Sequence, residues 1–208
     1  MNDFKDALRK FKETQERMEA HGIEVKKPRI QINVPNARQV LADGLTYFLS
    51  LENRKLEWQP EYEQIAEWLA DNDGRGLFLF GNCGRGKTLI TQQVIPTILL
   101  HYVNKVVKCY NIQDLNANNK GELGLDAVLK NRIITLDDIG TESVLNNYGN
   151  KRYAFPEIID AVEKQSKLIL ITTNLNAKEL TAFYDERTME RIIATTKRIE
   201  FKGKSLRK

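Results

Sequence analysis

Cysteine is scarce in this chain: two in 208 residues, Cys83 and Cys109. Two thiols so placed have no metal-ligand spacing and build no disulfide framework, so both read as reduced thiols of a cytosolic protein. With no cysteine in the first 82 residues, a zinc-binding N-terminal module is excluded. Histidine is as rare. His21 and His101 lie far apart and read as solvent or helix-end residues rather than ligands or bases. No apolar run reaches membrane length, and the start, MNDFKDALRKFKETQERMEAHG, is too charged for a signal peptide. Charge of one sign is lacking too. Lys and Arg number 32 against 28 Asp and Glu, and a formal net charge of +4 is too mild to establish a nucleic-acid partner alone. Repeats and low-complexity tracts are absent.

What remains is an ordinary globular composition, 41% hydrophobic and 29% charged. The length suits one α/β domain with a small appendage. Phe4, Leu8, Phe11 and Met18 fall near one helical face, on a helix ending at His21-Gly22. It packs on its own domain or docks a partner; the sequence leaves both open. The stretch VKKPRIQINVP, with its two prolines, reads as linker or extended chain, giving residues 1–35 as N-terminal helix and linker and 36–208 as the main domain. Further helices are expected over Asn36–Ser50 and Glu61–Leu69, the latter opened by Pro60. From Gly76 strand and helix alternate, with strands at Leu77–Phe80, Val106–Tyr110, Ile133–Asp137, Leu168–Thr172 and Arg198–Phe201, so a mainly parallel five-stranded sheet covered on both faces is expected. Pro96 should kink or break the helix after the first strand after about two turns.

The segment GLFLFGNCGRGKTLITQQV, from Gly76 to Val94, contains G-x-x-x-x-G-K-[ST]. An apolar strand precedes it and a helix-forming stretch follows, which is the context a phosphate-binding loop needs. Gly81, Gly84 and Gly86 let the chain turn with positive φ and keep side chains off the phosphates. Backbone N–H groups of the loop and helix N-terminus then face the anion. The nucleotide-binding set is Gly81, Asn82, Cys83, Gly84, Arg85, Gly86, Lys87, Thr88 and Leu89. Lys87 is expected to reach the β- and γ-phosphates and Thr88 to ligate Mg²⁺.

RIITLDDIGTE, from Arg132 to Glu142, is an apolar strand ending in two carboxylates. Such an end is costly unless a cation meets it. This is a Walker B pattern, with Asp137 holding Mg²⁺ and Asp138 orienting or deprotonating the attacking water. LILITTNLN, from Leu168 to Asn176, is a third apolar strand. Asn174 at its tip is placed to position that water, though Asn also suits a plain turn.

GNCGRGKT, ITLDDIGTE, ITTNLN, and YDERTMERI followed by FKGKSLR together resemble the AAA+ ATPases of the DnaC/IstB-like group, helicase loaders and transposition helpers. The resemblance runs from about Gly76 to Arg207 and covers the N-terminal third much less. It implies a three-layer P-loop NTPase core of the ASCE type, ATP and Mg²⁺ as ligands, and a homo-oligomer. It also implies Asn174 as sensor 1, Arg191 as the arginine finger acting on a neighbour's site, and Arg207 as sensor 2. Arg187, four residues before Arg191, shares its helical face and is the alternative finger. The chain departs from the group's pattern where Walker B ends in Asp-Asp rather than Asp-Glu, which suits slow hydrolysis. Ala161-Val162-Glu163-Lys164 stands where an Arg is common. Only 34 residues follow Asn174, so no C-terminal lid domain is expected.

By that resemblance the partner is a replicative helicase, with single-stranded DNA as the second partner. Thr196–Lys208 holds six cations against one carboxylate, and NNYGNKRYAF mixes Lys151 and Arg152 with Tyr148, Tyr153 and Phe155. Basic and aromatic residues together suit single strands, although a basic tail is often only a solvated end. A transposition helper binding duplex DNA, a small-molecule P-loop kinase and a nucleotide-binding scaffold are the alternative readings. The kinase is disfavoured by the ITTN strand and the missing lid.

Overall fold

The computed structural model describes residues 2–23, 25, 27–117, 124–142, 145–147 and 150–206. Its centre is a five-stranded sheet built from β1 (Gly76–Gly81), β2 (Lys108–Asn111), β3 (Ile133–Asp137), β6 (Leu168–Thr172) and β7 (Thr196–Phe201), in the order β2-β3-β6-β1-β7. All four pairings are parallel. The strands expected from apolar runs are there. β2 starts two residues later than its apolar pattern, at Lys108, and β7 starts earlier, at Thr196. A two-stranded antiparallel hairpin, β4 (Leu145–Asn147) and β5 (Asn150–Arg152), was not legible: its strands are three residues each, too short for an alternation to show.

Because the strand period is two, each strand feeds both faces. Leu77, Leu79, Leu168, Leu170, Ile199 and Phe201 meet one core. That core is closed by α2 (Ala37–Leu51), α3 (Pro60–Ala70) and the helix after β1. Phe78, Ile134, Leu136, Ile169 and Ile171 meet the other, closed by α6 (Ile112–Ala117), α7 (Leu125–Lys130), α8 (Ala154–Lys164) and α10 (Glu186–Thr195). The result is three layers.

The helix after β1 corrects the expected effect of Pro96. The chain stays helical from Lys87 to Val103: α4 (Lys87–Leu89), a π-helical turn at Ile90–Val94, then α5 (Ile95–Val103). The wider π turn just before the proline absorbs the ring that would clash in a regular α-helix. Nearby carbonyls find partners outside the helix. Thr135 Oγ1 donates to Thr91 O at 3.0 Å and Cys109 Sγ approaches Gln92 O at 3.8 Å.

Residues 27–35 form no helix or strand, yet they are packed. Ile32 and Val34 are buried in the first core. The side chain of Asn72 accepts from Ile32 N at 2.8 Å and donates to Ile30 O at 3.0 Å, while Val34 N donates to Leu69 O at 2.9 Å. These contacts tie the segment to α3 and to the turn that follows it. By contrast α1 (Asn2–Ala20) leaves Phe4, Leu8 and Phe11 exposed. His21 follows the end of α1 and His101 sits in the last turn of α5. Both thiols are free and exposed. Among the described residues no helix is long and apolar enough to cross a membrane.

Candidate functional site

The carboxyl ends of β1, β3 and β6 lie side by side, with β6 between the other two. This ordering brings the three motifs together. Lys87, 5% exposed, donates from Nζ to Gly81 O, Asn82 O and Asn174 Oδ1, each at 2.8 Å. Asn174 Nδ2 in turn donates to Asp138 Oδ1 at 2.9 Å. Thr88 Oγ1 donates to Asp137 Oδ1 at 3.1 Å. The loop lysine, the strand-tip amide and the Asp138 carboxylate thus form one hydrogen-bonded chain, with the Thr88–Asp137 pair beside it, and Thr88 and Asn174 are exposed.

The glycine loop has the geometry an anion needs. Gly86 has φ +86°, and a Cβ there would meet nothing within 4 Å, so glycine is required for its conformation and not for want of room. Gly84 has φ +74°, and a Cβ would come 2.2 Å from Ser205 Oγ, because the C-terminal segment lies against the loop. Leu206 N donates to Gly84 O at 2.9 Å and Asn82 Nδ2 to Gly203 O at 2.8 Å.

Threonines that sequence reasoning left without a role knit the site together. Thr172 Oγ1 donates to Asp137 Oδ1 at 2.5 Å and accepts from Asp138 N at 3.0 Å. Thr173 Oγ1 donates to Ile139 O at 2.7 Å. The signal was present, two adjacent threonines at a strand tip, but β propensity explains threonine there equally well. Asp138 takes a left-handed φ of 58°, unusual for a residue with a side chain, and a second network holds that turn. Gly140 N donates to Glu142 Oε2 at 2.7 Å and to Tyr184 OH at 2.9 Å, and Tyr184 OH donates to Glu142 Oε1. Glu142 and Tyr184 also went unread in the sequence. On the far side of Asn174 a capping box, Asn176 with Glu179, starts α9 (Ala177–Phe183) and fixes the turn.

Two carboxylates, Asp137 and Asp138, stand together in the site. Burial pushes the Asp137 carboxyl above its ordinary range, Thr172 and Thr88 pull it back, Asp138 raises it further and Lys87 opposes that. Thr88 Oγ1 and Asp137 Oδ1 are hard oxygen donors, the ligand type Mg²⁺ takes. The donor set and the open glycine loop therefore fit a magnesium-nucleotide.

Other expected residues stand elsewhere. The Arg85 side chain turns away from the loop's open side. It is 6% exposed, and its Nη2 lies 3.1 Å from Gln59 Oε1 and 3.2 Å from Glu61 Oε1. Only its backbone faces the anion site. Arg191 lies against α8, its Nη2 2.5 Å from Asp160 Oδ1 and its Nε 3.0 Å from Glu163 Oε2. Arg187 is exposed. The fold does not bring either arginine to its own chain's Lys87 network. Arg207, and Tyr148 of the hairpin stretch, lie outside the described residues.

The sheet order, the loop and the paired carboxylates define a P-loop NTPase fold. No family model matches the chain, and no curated protein matches it. Solved structures do. The structure of DnaI is 23% identical with a TM-score of 0.52, over 64% of this chain and 73% of that one. The DnaC helicase loader is 18% identical with a TM-score of 0.59, over 71% of this chain and 93% of that one. AMPPCP-bound DnaA from Aquifex aeolicus is 18% identical with a TM-score of 0.52, over 72% of this chain and 50% of that one. The likeness is one of fold: the three-layer architecture of this chain is shared with the DnaI and DnaC helicase loader structures.

Proposed function

We propose that this chain is an ATP-binding and ATP-hydrolysing replication protein that loads a replicative helicase onto single-stranded DNA. The observation that carries the ATPase part is the hydrogen-bonded path from Lys87 through Asn174 to Asp138, which joins the phosphate loop to the second carboxylate of Walker B. The loader part is supported by likeness of fold to the DnaC helicase loader.

In this reading the loop amides and Lys87 hold the phosphates, and Thr88 and Asp137 hold the metal. Mg²⁺, when bound, neutralises charge on the phosphates. Asp138 accepts the proton of the attacking water while Asn174 orients it, the division of labour expected when catalysis is mostly positioning and charge stabilisation. Hydrolysis is completed by Arg191 of an adjoining copy, with Arg207 acting as the second sensor within the chain. Turnover then reports assembly: nucleotide at the joint holds copies together and its loss releases them. The helix α1 is the proposed docking segment for the helicase, and the compartment is the cytoplasm.

The test is ATP turnover by the purified chain, with and without single-stranded DNA, as protein concentration rises. The reading expects a rate per chain that climbs with concentration and climbs further with DNA. A flat rate per chain, or none at all, overturns it.

A further inference from the structure

At the rim of the sheet opposite the phosphate loop lies an open cleft of about 590 Å³ that the nucleotide reading does not use. Lys108 opens β2 and Ile133 opens β3, so the cleft sits at the amino ends of the strands, roughly 15 Å from their carboxyl ends at about 3.3 Å per residue. Its polar lining is Lys27, Lys105, Lys108, Arg132, Asn104 and Asn131, and no Asp or Glu lines it. Four cations share one cleft in a chain whose whole net charge is +4. Summed over the rest of the chain the opposite charges cancel, although the Thr196–Lys208 tail is itself basic.

Lys27, Lys105 and Lys108 are exposed, Arg132 is half-buried, and local contacts shape the walls that carry them. Arg132 Nη2 donates to Pro28 O at 3.3 Å, tying β3 to the packed N-terminal segment. Asn104 adopts a left-handed φ of 50° and Lys105 N closes on Leu99 O at 3.0 Å, which fixes the second wall. Behind the cleft Lys167 is 8% exposed and donates to Leu129 O and Asn131 O. Burial lowers its pKa, and the nearby charges of Arg132 and Lys27 lower it further. Helix ends do not account for it. The carboxyl termini of α5 and α7 together offer at most about one negative charge, against four cations. No ion pair is recorded for Lys27, Lys105, Lys108 or Arg132 among the described residues.

We propose that this cleft binds the phosphodiester backbone of single-stranded nucleic acid. Four cations lining one open cleft, without a carboxylate, fit consecutive phosphates of a chain. Val106, in the same lining, is 61% exposed. The inference rests on the replication reading only for the choice of polymer. The site is separate from the nucleotide and does not need hydrolysis.

The test is fluorescence anisotropy with labelled oligo(dT), without ATP, over a range of salt. The variants are Lys105→Glu/Lys108→Glu and, as a milder pair, Lys105→Gln/Lys108→Gln. Circular dichroism and the melting temperature check folding. The expected result is a loss of roughly tenfold or more in the charge-reversed pair, with the slope of log affinity against log salt shallower by about 0.7 for each phosphate contact removed. Wild-type affinity in both pairs overturns the proposal. So does loss confined to a Lys202→Glu/Lys204→Glu tail variant, stronger binding of poly-glutamate than of oligo(dT), displacement by equimolar pyrophosphate, or no binding by the wild type. Failure of the ATPase reading appears instead as absent turnover, with oligonucleotide binding still dependent on the cleft lysines.

Discussion

Lys87 and Asn174, 87 positions apart, are joined by a 2.8 Å hydrogen bond from the lysine ammonium to the amide oxygen. The same amide's nitrogen donates to Asp138, so Asn174 is oriented from both sides. Asn174→Ala should therefore leave nucleotide binding nearly intact and lower kcat about a hundredfold, as loss of one preorganised polar group does. Single-turnover kinetics beside equilibrium binding of a fluorescent ATP analogue check it. Equal losses in both would assign Asn174 to binding alone.

Lys87→Ala should weaken ATP binding about a hundredfold or more, since hydrogen bonds to a charged group contribute about 1.5–3 kcal/mol each. Lys87 also caps Gly81 O and Asn82 O, so the variant's melting curve should accompany the titration.

Arg191 is held by Asp160 and Glu163 on its own chain. If it completes a neighbour's site, that clamp competes with assembly. Arg191→Ala should keep ATP binding and lose assembly-dependent turnover by a factor of about 10³ or more. Asp160→Asn/Glu163→Gln should lower the protein concentration at which turnover rises. Mixing Lys87→Ala with Arg191→Ala protein should restore part of the rate; two folded variants that stay inactive together would refute a shared site.

Arg85 and Glu61 form an ion pair with both side chains 7% exposed. Arg85 Nε and Glu61 Oε2 have no hydrogen-bond partner. Removing one charge strands the other, so Arg85→Ala should cost about 3–5 kcal/mol, read as a lower urea midpoint. Arg85→Met with Glu61→Leu should recover part of that loss.

Asp185 caps α10, accepting from Thr188 N at 2.7 Å, and the Thr188 contacts hold its carboxyl below the usual carboxylate range. A depressed pKa gives stability that is full above the unfolded value and lost as pH falls through the folded one. Asp185→Ala should cost about 1 kcal/mol near neutral pH, and the gap to wild type should close in acid. Urea denaturation across that range measures it.

Much of the fold was written in local pattern. The apolar runs of β1, β3 and β6 end in GNCGRGKT, DD and TTN, and runs buried on both faces are strands of a parallel sheet. The Lys87 and Asp137 neighbourhoods followed from motif spacing. Pro96 was misjudged because a π turn, which no single residue announces, absorbed it. Glu142 and Tyr184 stayed hidden because their partnership spans 42 positions.

By itself the sequence determined the five strands of the main sheet, which loop carries the glycine pattern of a phosphate site and which carboxylates stand at a strand end, because these depend on periodicity and on neighbours in the chain. Only the tertiary structure decided that β6 lies between β1 and β3, so that Asn174 reaches both Lys87 and Asp138. It also decided that the Arg85 side chain turns inward, that Arg191 is clamped, and that four scattered cations share one cleft. Those outcomes depend on strand order and on which helix covers which face, and contacts across tens of residues leave no periodic trace in the chain.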